Sequence, residues 1–177
     1  MAHAAGWSRR GGPYFAMPAG TLLAVWFALI AIAVVGSAIF GASLSLVLPQ
    51  WNVWSGAAWL VLSAGLAWVV FIPALATVSR ESFAVCFHVS LLTMAAGEAV
   101  LVTGAALNVA LWLASATAPA AVINYTTVAC SNVVMITVLA TLLARRGVPA
   151  WKSIAVWLVA LNGTGALLFL LFARLLS

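Results

Sequence analysis

The chain has 177 residues, of which 67% are hydrophobic and 5% charged, with seven Lys or Arg against two acidic residues, Glu81 and Glu98. Soluble domains carry about 25% charged residues, so a soluble globular fold, a disordered chain and a low-complexity or collagen-like chain are all excluded. The formal charge of +5 does not indicate nucleic acid, because Arg9, Arg10, Arg80, Arg145, Arg146, Lys152 and Arg174 are scattered and make no patch for a run of phosphates.

Taken in chain order, Ser8-Arg9-Arg10 is similar to a twin-arginine export signal, but Gly11-Gly12-Pro13 follows where apolar residues should come. The first apolar stretch runs from Ala19 to Leu48. It is longer than the core of a cleavable signal, about 7–15 residues, so a retained anchor is expected. A bilayer core of about 30 Å takes about 20 apolar residues in a helix, and five segments reach that length. They cover 19–40 with a continuation toward Leu48, 56–78 with Pro73 near its end, 82–106 with apolar character persisting to Ala114, 120–143, and 150–171. The expected fold is all-α, an integral membrane bundle of five transmembrane helices in a single membrane domain over residues 1–177, without room for a soluble domain.

Positive charge sets the orientation. With the N-terminus cytoplasmic, six of the seven basic residues face the cytoplasm and only Arg174 lies outside, so the N-terminus is expected inside and the C-terminus outside. Trp51, Trp54, Trp112 and Trp151 fall at the segment boundaries, as an aromatic belt requires. The expected location is the bacterial inner (plasma) membrane.

Small residues predict the helix contacts. Gly20, Ala24 and Ala28 recur every four residues in the first segment, a pattern that permits close backbone approach. In the third, Cys86, Ser90, Thr93, Gly97, Gly104 and Asn108 fall on one helical face. That face reads first as a helix–helix seam, with Ser90, Gly97 and Gly104 as packing residues, and second as the lining of a polar pathway. Cys86 and Cys130 lack metal or disulfide spacing and are expected to be buried small hydrophobes.

Glu98 is the residue with the sharpest chemical signal, because a carboxylate within a span costs about 2.5–3.5 kcal/mol even on lenient insertion scales. It is a candidate for proton or substrate binding, with His88, Asn132 and Asn162 as further candidates. His88 lies ten residues before Glu98, roughly 15 Å of rise and about 80° around the helix, so the two do not pair directly. Asn162-Gly163-Thr164-Gly165 could form an unwound helix midpoint of the kind transporters use, or a packing contact. Asn124-Tyr125-Thr126 and Asn162-Gly163-Thr164 match the glycosylation sequon but fall inside spans. No catalytic residue, cofactor or metal site is expected, since there is no Asp and a single intramembrane His cannot supply two haem ligands.

The layout resembles the five-helix form of subunit III of haem–copper oxidases. Similar features are the chain length, the five spans, Glu98 in the third helix 16 residues after Ser82, and the basic turn Arg145-Arg146-Gly147 before the last helix. That family's His-rich motif in the fourth helix is replaced here by Ala129-Cys130-Ser131-Asn132, and its Trp-His pair has no match around Asn162. The resemblance implies a structural role without a redox metal. The expected function is therefore a non-catalytic accessory or structural subunit of a larger membrane complex, a respiratory one included. Its partners would be the lipid bilayer and other membrane subunits or copies of itself, with no nucleic acid. The alternative is a small oligomeric transporter or channel that uses a buried carboxyl group.

Overall fold

The computed structural model describes residues 18–48, 52–116 and 119–168. Arg9, Arg10, Trp51, Arg174 and the expected end of the fifth span at 171 lie outside the described residues. Among the described residues the structure is all-helical, without strands, and five helices are long and apolar enough to cross a membrane. They are α1 (Ala19–Val47), α2 (Val53–Ser79), α3 (Phe83–Leu113), α4 (Ala120–Ala144) and α5 (Ala150–Leu168).

Helices α1 and α3 extend past their expected ends at 40 and 106. The small and polar residues of these extensions are held within the structure. In α1 the Ser43 and Ser45 hydroxyls donate to the carbonyls of Phe40 and Ala42, and Gly41 packs directly against the backbone of Gly56 and Ala57 in α2. In α3 Gly104 and Asn108 are buried in helix contacts rather than left to water. At 31 residues α3 is about 46 Å long, longer than a bilayer core of about 30 Å. Pro73 sits inside α2 without ending it, and one turn later Thr77 Oγ1 bonds back to the Pro73 carbonyl at 2.9 Å.

Two tight turns close the same end of the bundle. Between α2 and α3, Arg80 takes a left-handed backbone (φ 58°), and the Ser79 hydroxyl accepts from the Glu81 N–H while donating to the Leu75 carbonyl. Between α4 and α5, Gly147 takes φ 80°, a conformation that glycine adopts without steric cost. Glu81 and Arg146 join the two turns, with Arg146 Nη1 3.4 Å from Glu81 Oε2. Both side chains are half-buried, and the pair ties the two turns together.

The central helix is α3, packed along its length against α1 on one side and α4 on the other. Helix α2 packs against α1 and α5, and α5 also touches α4. The main core lies at the end that carries the two turns. There Trp68, Phe71 and Leu75 of α2 meet Val85 and Val89 of α3, Leu139 and Leu143 of α4, and Val156 and Trp157 of α5. The Phe71 and Trp157 rings meet edge to face at 5.5 Å. A second, smaller core at the other end joins Phe40 and Leu44 of α1 to Ala105 of α3.

The first part of α1 meets this packing through Trp26 and Leu29, both half-buried against the main core. Its buried residues begin only at Ala33. Gly20, Ala24 and Ala28 are all exposed, and a Cβ on Gly20 would meet nothing within 4 Å. The small-residue pattern permits close approach but does not name the approaching helix, and none of the described helices supplies it.

A polar seam between α1 and α3

All six residues that share the polar face of α3 (Cys86, Ser90, Thr93, Gly97, Gly104 and Asn108) are buried. Three cross-helix hydrogen bonds run along the contact with α1. The Trp26 indole N–H donates to His88 Nδ1 at 3.0 Å, the Ser37 hydroxyl donates to Glu98 Oε1 at 2.7 Å, and the Asn108 amide donates to Ser43 Oγ at 3.0 Å. Residues 88, 98 and 108 are evenly spaced, so the bonds recur about every 15 Å along α3. Each bond satisfies polar groups that hydrocarbon would leave unpaired, and bonds of this kind in membranes contribute about 0.6–2 kcal/mol apiece.

Glu98 is the central residue of α3 and is 5% exposed. Its fit depends on Gly36 of α1, because a Cβ there would stand 2.6 Å from Glu98 Oε2 and 3.0 Å from its Cβ. Oε1 accepts from Ser37, whereas Oε2 is buried without a hydrogen-bond partner. On the α4 side of the same level, Ser131 Oγ donates to the Gly97 carbonyl at 3.0 Å, and the missing side chain of Gly97 makes room for Met135. The carboxyl group is thus enclosed by α1 and α3, with α4 packed behind.

His88 is buried against α1. Because its Nδ1 accepts from Trp26, the ring is a neutral imidazole with its proton on Nε2. Trp26 is itself held edge-on by Phe87 at 4.9 Å. At the far end, Ser43 passes the contact on by donating to the Phe40 carbonyl at 2.7 Å. Gly104 there makes room for Thr127. The α3–α4 register set by the Gly97–Ser131 and Gly104–Thr127 contacts carries Asn124 toward the level of Asn108. Asn108 Oδ1 and both amide atoms of Asn124 are buried without a hydrogen-bond partner.

Two of the four candidate binding residues, His88 and Glu98, therefore belong to one seam but sit on separate bonds of it. Asn132 does not join them: its amide donates to the Val128 carbonyl of its own helix at 2.9 Å. Asn162 is exposed on α5, and its amide reaches only the Trp157 carbonyl, at 3.4 Å. Of the two readings of this segment, the unwound midpoint is not seen: the chain is a wound helix that widens to π-helical over Trp157–Asn162 and then continues. Cys86 is buried beside Ser79 Oγ at 3.4 Å, but Cys130 is exposed, because α4 turns that side of its middle away from α3. Sequence reasoning missed Trp26, Gly36, Ser37 and Ser43, the α1 half of every contact. No family model matches the chain, and no curated protein or solved structure matches it.

Proposed function

We propose that this chain is a non-catalytic accessory or structural subunit of a larger membrane complex. The observation that carries this reading is the exposed stripe Gly20, Ala24 and Ala28, a surface suited to close helix approach that no helix among the described residues covers. The seam supports it from the other side. Its hydrogen bonds hold α1, α3 and α4 together as a scaffold, rather than lining an open polar path. The likeness to subunit III of haem–copper oxidases agrees with such a role and makes a respiratory assembly of the bacterial inner membrane the first to examine. The alternative, a small oligomeric transporter, draws its support from the unpartnered Oε2 of Glu98.

Ala24→Leu combined with Ala28→Leu is expected to leave the fold intact, since both positions are exposed. It should reduce partner recovery in mild-detergent co-purification at least fivefold. Unchanged recovery would remove the stripe from the interface.

The proposed orientation places the N-terminus inside and the C-terminus outside, with the Glu81–Arg146 pair at the cytoplasmic face. In a Cys130→Ser background, Trp54→Cys should react with an impermeant maleimide on intact cells. Gly147→Cys should react only after permeabilisation, and the reverse pattern would invert the topology.

A further inference from the structure

A cleft of about 490 Å³ opens between α1, α2 and α3. That volume falls in the range of small-molecule sites, roughly 300–1,000 Å³. Its wall is apolar and partly aromatic, with Val34, Trp68, Val69, Phe83, Phe87 and Met94 among the lining residues. Val69 and Phe83 are 71% and 58% exposed, so the mouth of the cleft faces outward, where lipid tails would lie. The wall carries a single hydroxyl, that of Ser37. This hydroxyl is also the donor to Glu98 Oε1, at 2.7 Å. Met94, one helical turn before Glu98, lines the same wall. A buried carboxyl group, with its second oxygen unpartnered, thus stands one hydrogen bond behind an apolar cavity.

Glu98 also lacks a countercharge within the described residues. Helices α1 and α2 contain no titratable side chain. On α3, His88 and Cys86 lie about 15 Å or more away along the helix. On α4, Tyr125 and Cys130 are both exposed, away from α3. Arg80, Arg145, Arg146 and Lys152 are grouped at the two turns, more than two helical turns below.

We propose that this cleft binds a lipophilic organic cation, a quaternary ammonium or arylphosphonium type whose charge sits inside an apolar shell, with Glu98 as counter-ion. The shell matches the walls, and the Trp68, Phe83 and Phe87 rings add the attraction of aromatic faces for cations. A neutral molecule of the same shape gains nothing from the carboxylate, and an anion is repelled by it. To reach the cation, the carboxylate needs only to exchange the Ser37 hydroxyl. The site is complete within one chain, so it does not depend on the subunit reading.

The test uses the purified full chain in nanodiscs, with tetraphenylphosphonium as probe and the isosteric anion tetraphenylborate as comparison. Saturable phosphonium binding is expected, and borate binding should be at least tenfold weaker. Glu98→Gln should weaken the phosphonium at least tenfold with an unchanged melting temperature. Gly65→Phe fills the cleft from a position where a Cβ meets nothing within 4 Å and leaves the carboxyl untouched. It should weaken binding to a similar degree. Equal affinity for the two ions, or full affinity in either variant, would overturn the proposal. Failure here leaves the co-purification result standing, so the two readings fall separately.

Discussion

Gly41→Leu is expected to destabilise the detergent-solubilised chain by about 3 kcal/mol or more, the upper end of the overpacking range. A Cβ at residue 41 would meet the carbonyl carbon of Gly56 at 2.7 Å and the Cα of Ala57 at 2.9 Å, with the Gly56 oxygen nearer still. All three are backbone atoms. A side chain could rotate aside, but a helix backbone cannot, so α1 and α2 must separate at this crossing. Gly65→Leu is the matched control, because nothing lies within 4 Å of that position. Denaturant titration followed by circular dichroism should show a clear fall in midpoint for the first variant and little change for the second. A Gly41→Leu chain within 0.5 kcal/mol of the parent, roughly the scatter of neutral surface changes, would mean that the two helices do not touch there.

Ser37→Ala is expected to destabilise by about 1–3 kcal/mol, the cost of leaving a buried polar group unsatisfied. It removes the donor to Glu98 Oε1, while Oε2 already lacks a partner. The larger diagnostic is the double variant. Ser37→Ala with Glu98→Met removes both polar groups and keeps a similar volume, which can be nearly neutral or stabilising. Recovery of at least half of the lost stability identifies the bond as a cross-helix contact between these two residues. Additive losses would show that Glu98 is held by something other than Ser37.

The fold was legible because the strongest physical demand on the chain is also the simplest. Long runs of apolar residues with almost no charge are the pattern of helices able to cross a membrane, and the spacing of Cys86, Ser90, Thr93, Gly97, Gly104 and Asn108 marked the packed face of α3. What stayed hidden was partnership between helices. A hydroxyl in a membrane helix commonly bonds back to a carbonyl of its own preceding turn. Thr93, Thr103 and Thr126 do this, and so does the amide of Asn132. Ser37 looks the same in sequence but bonds across to α3. The small residues of α1 were ambiguous in the same way: Gly36 and Gly41 turn out to be the close contacts, and Gly20 faces outward. Glu98 was visible as an unexplained charge, while the glycine that admits it and the serine that holds it came only with the placement of α1 against α3.

That placement makes α1 two-sided. Its later half is locked to α3 by Ser37 and Ser43 and to α2 by Gly41, whereas its earlier half is tied to α3 by Trp26 on one side and on the other carries a small-residue stripe that no described helix covers. In the proposed role, this stripe is where a second subunit would dock. Native mass measurement on material released from membranes in mild detergent tests this most directly. The account predicts a particle well above the 18.4 kDa of a single chain, containing other membrane proteins in a fixed ratio. A particle holding this chain alone, or only copies of it, would contradict the account.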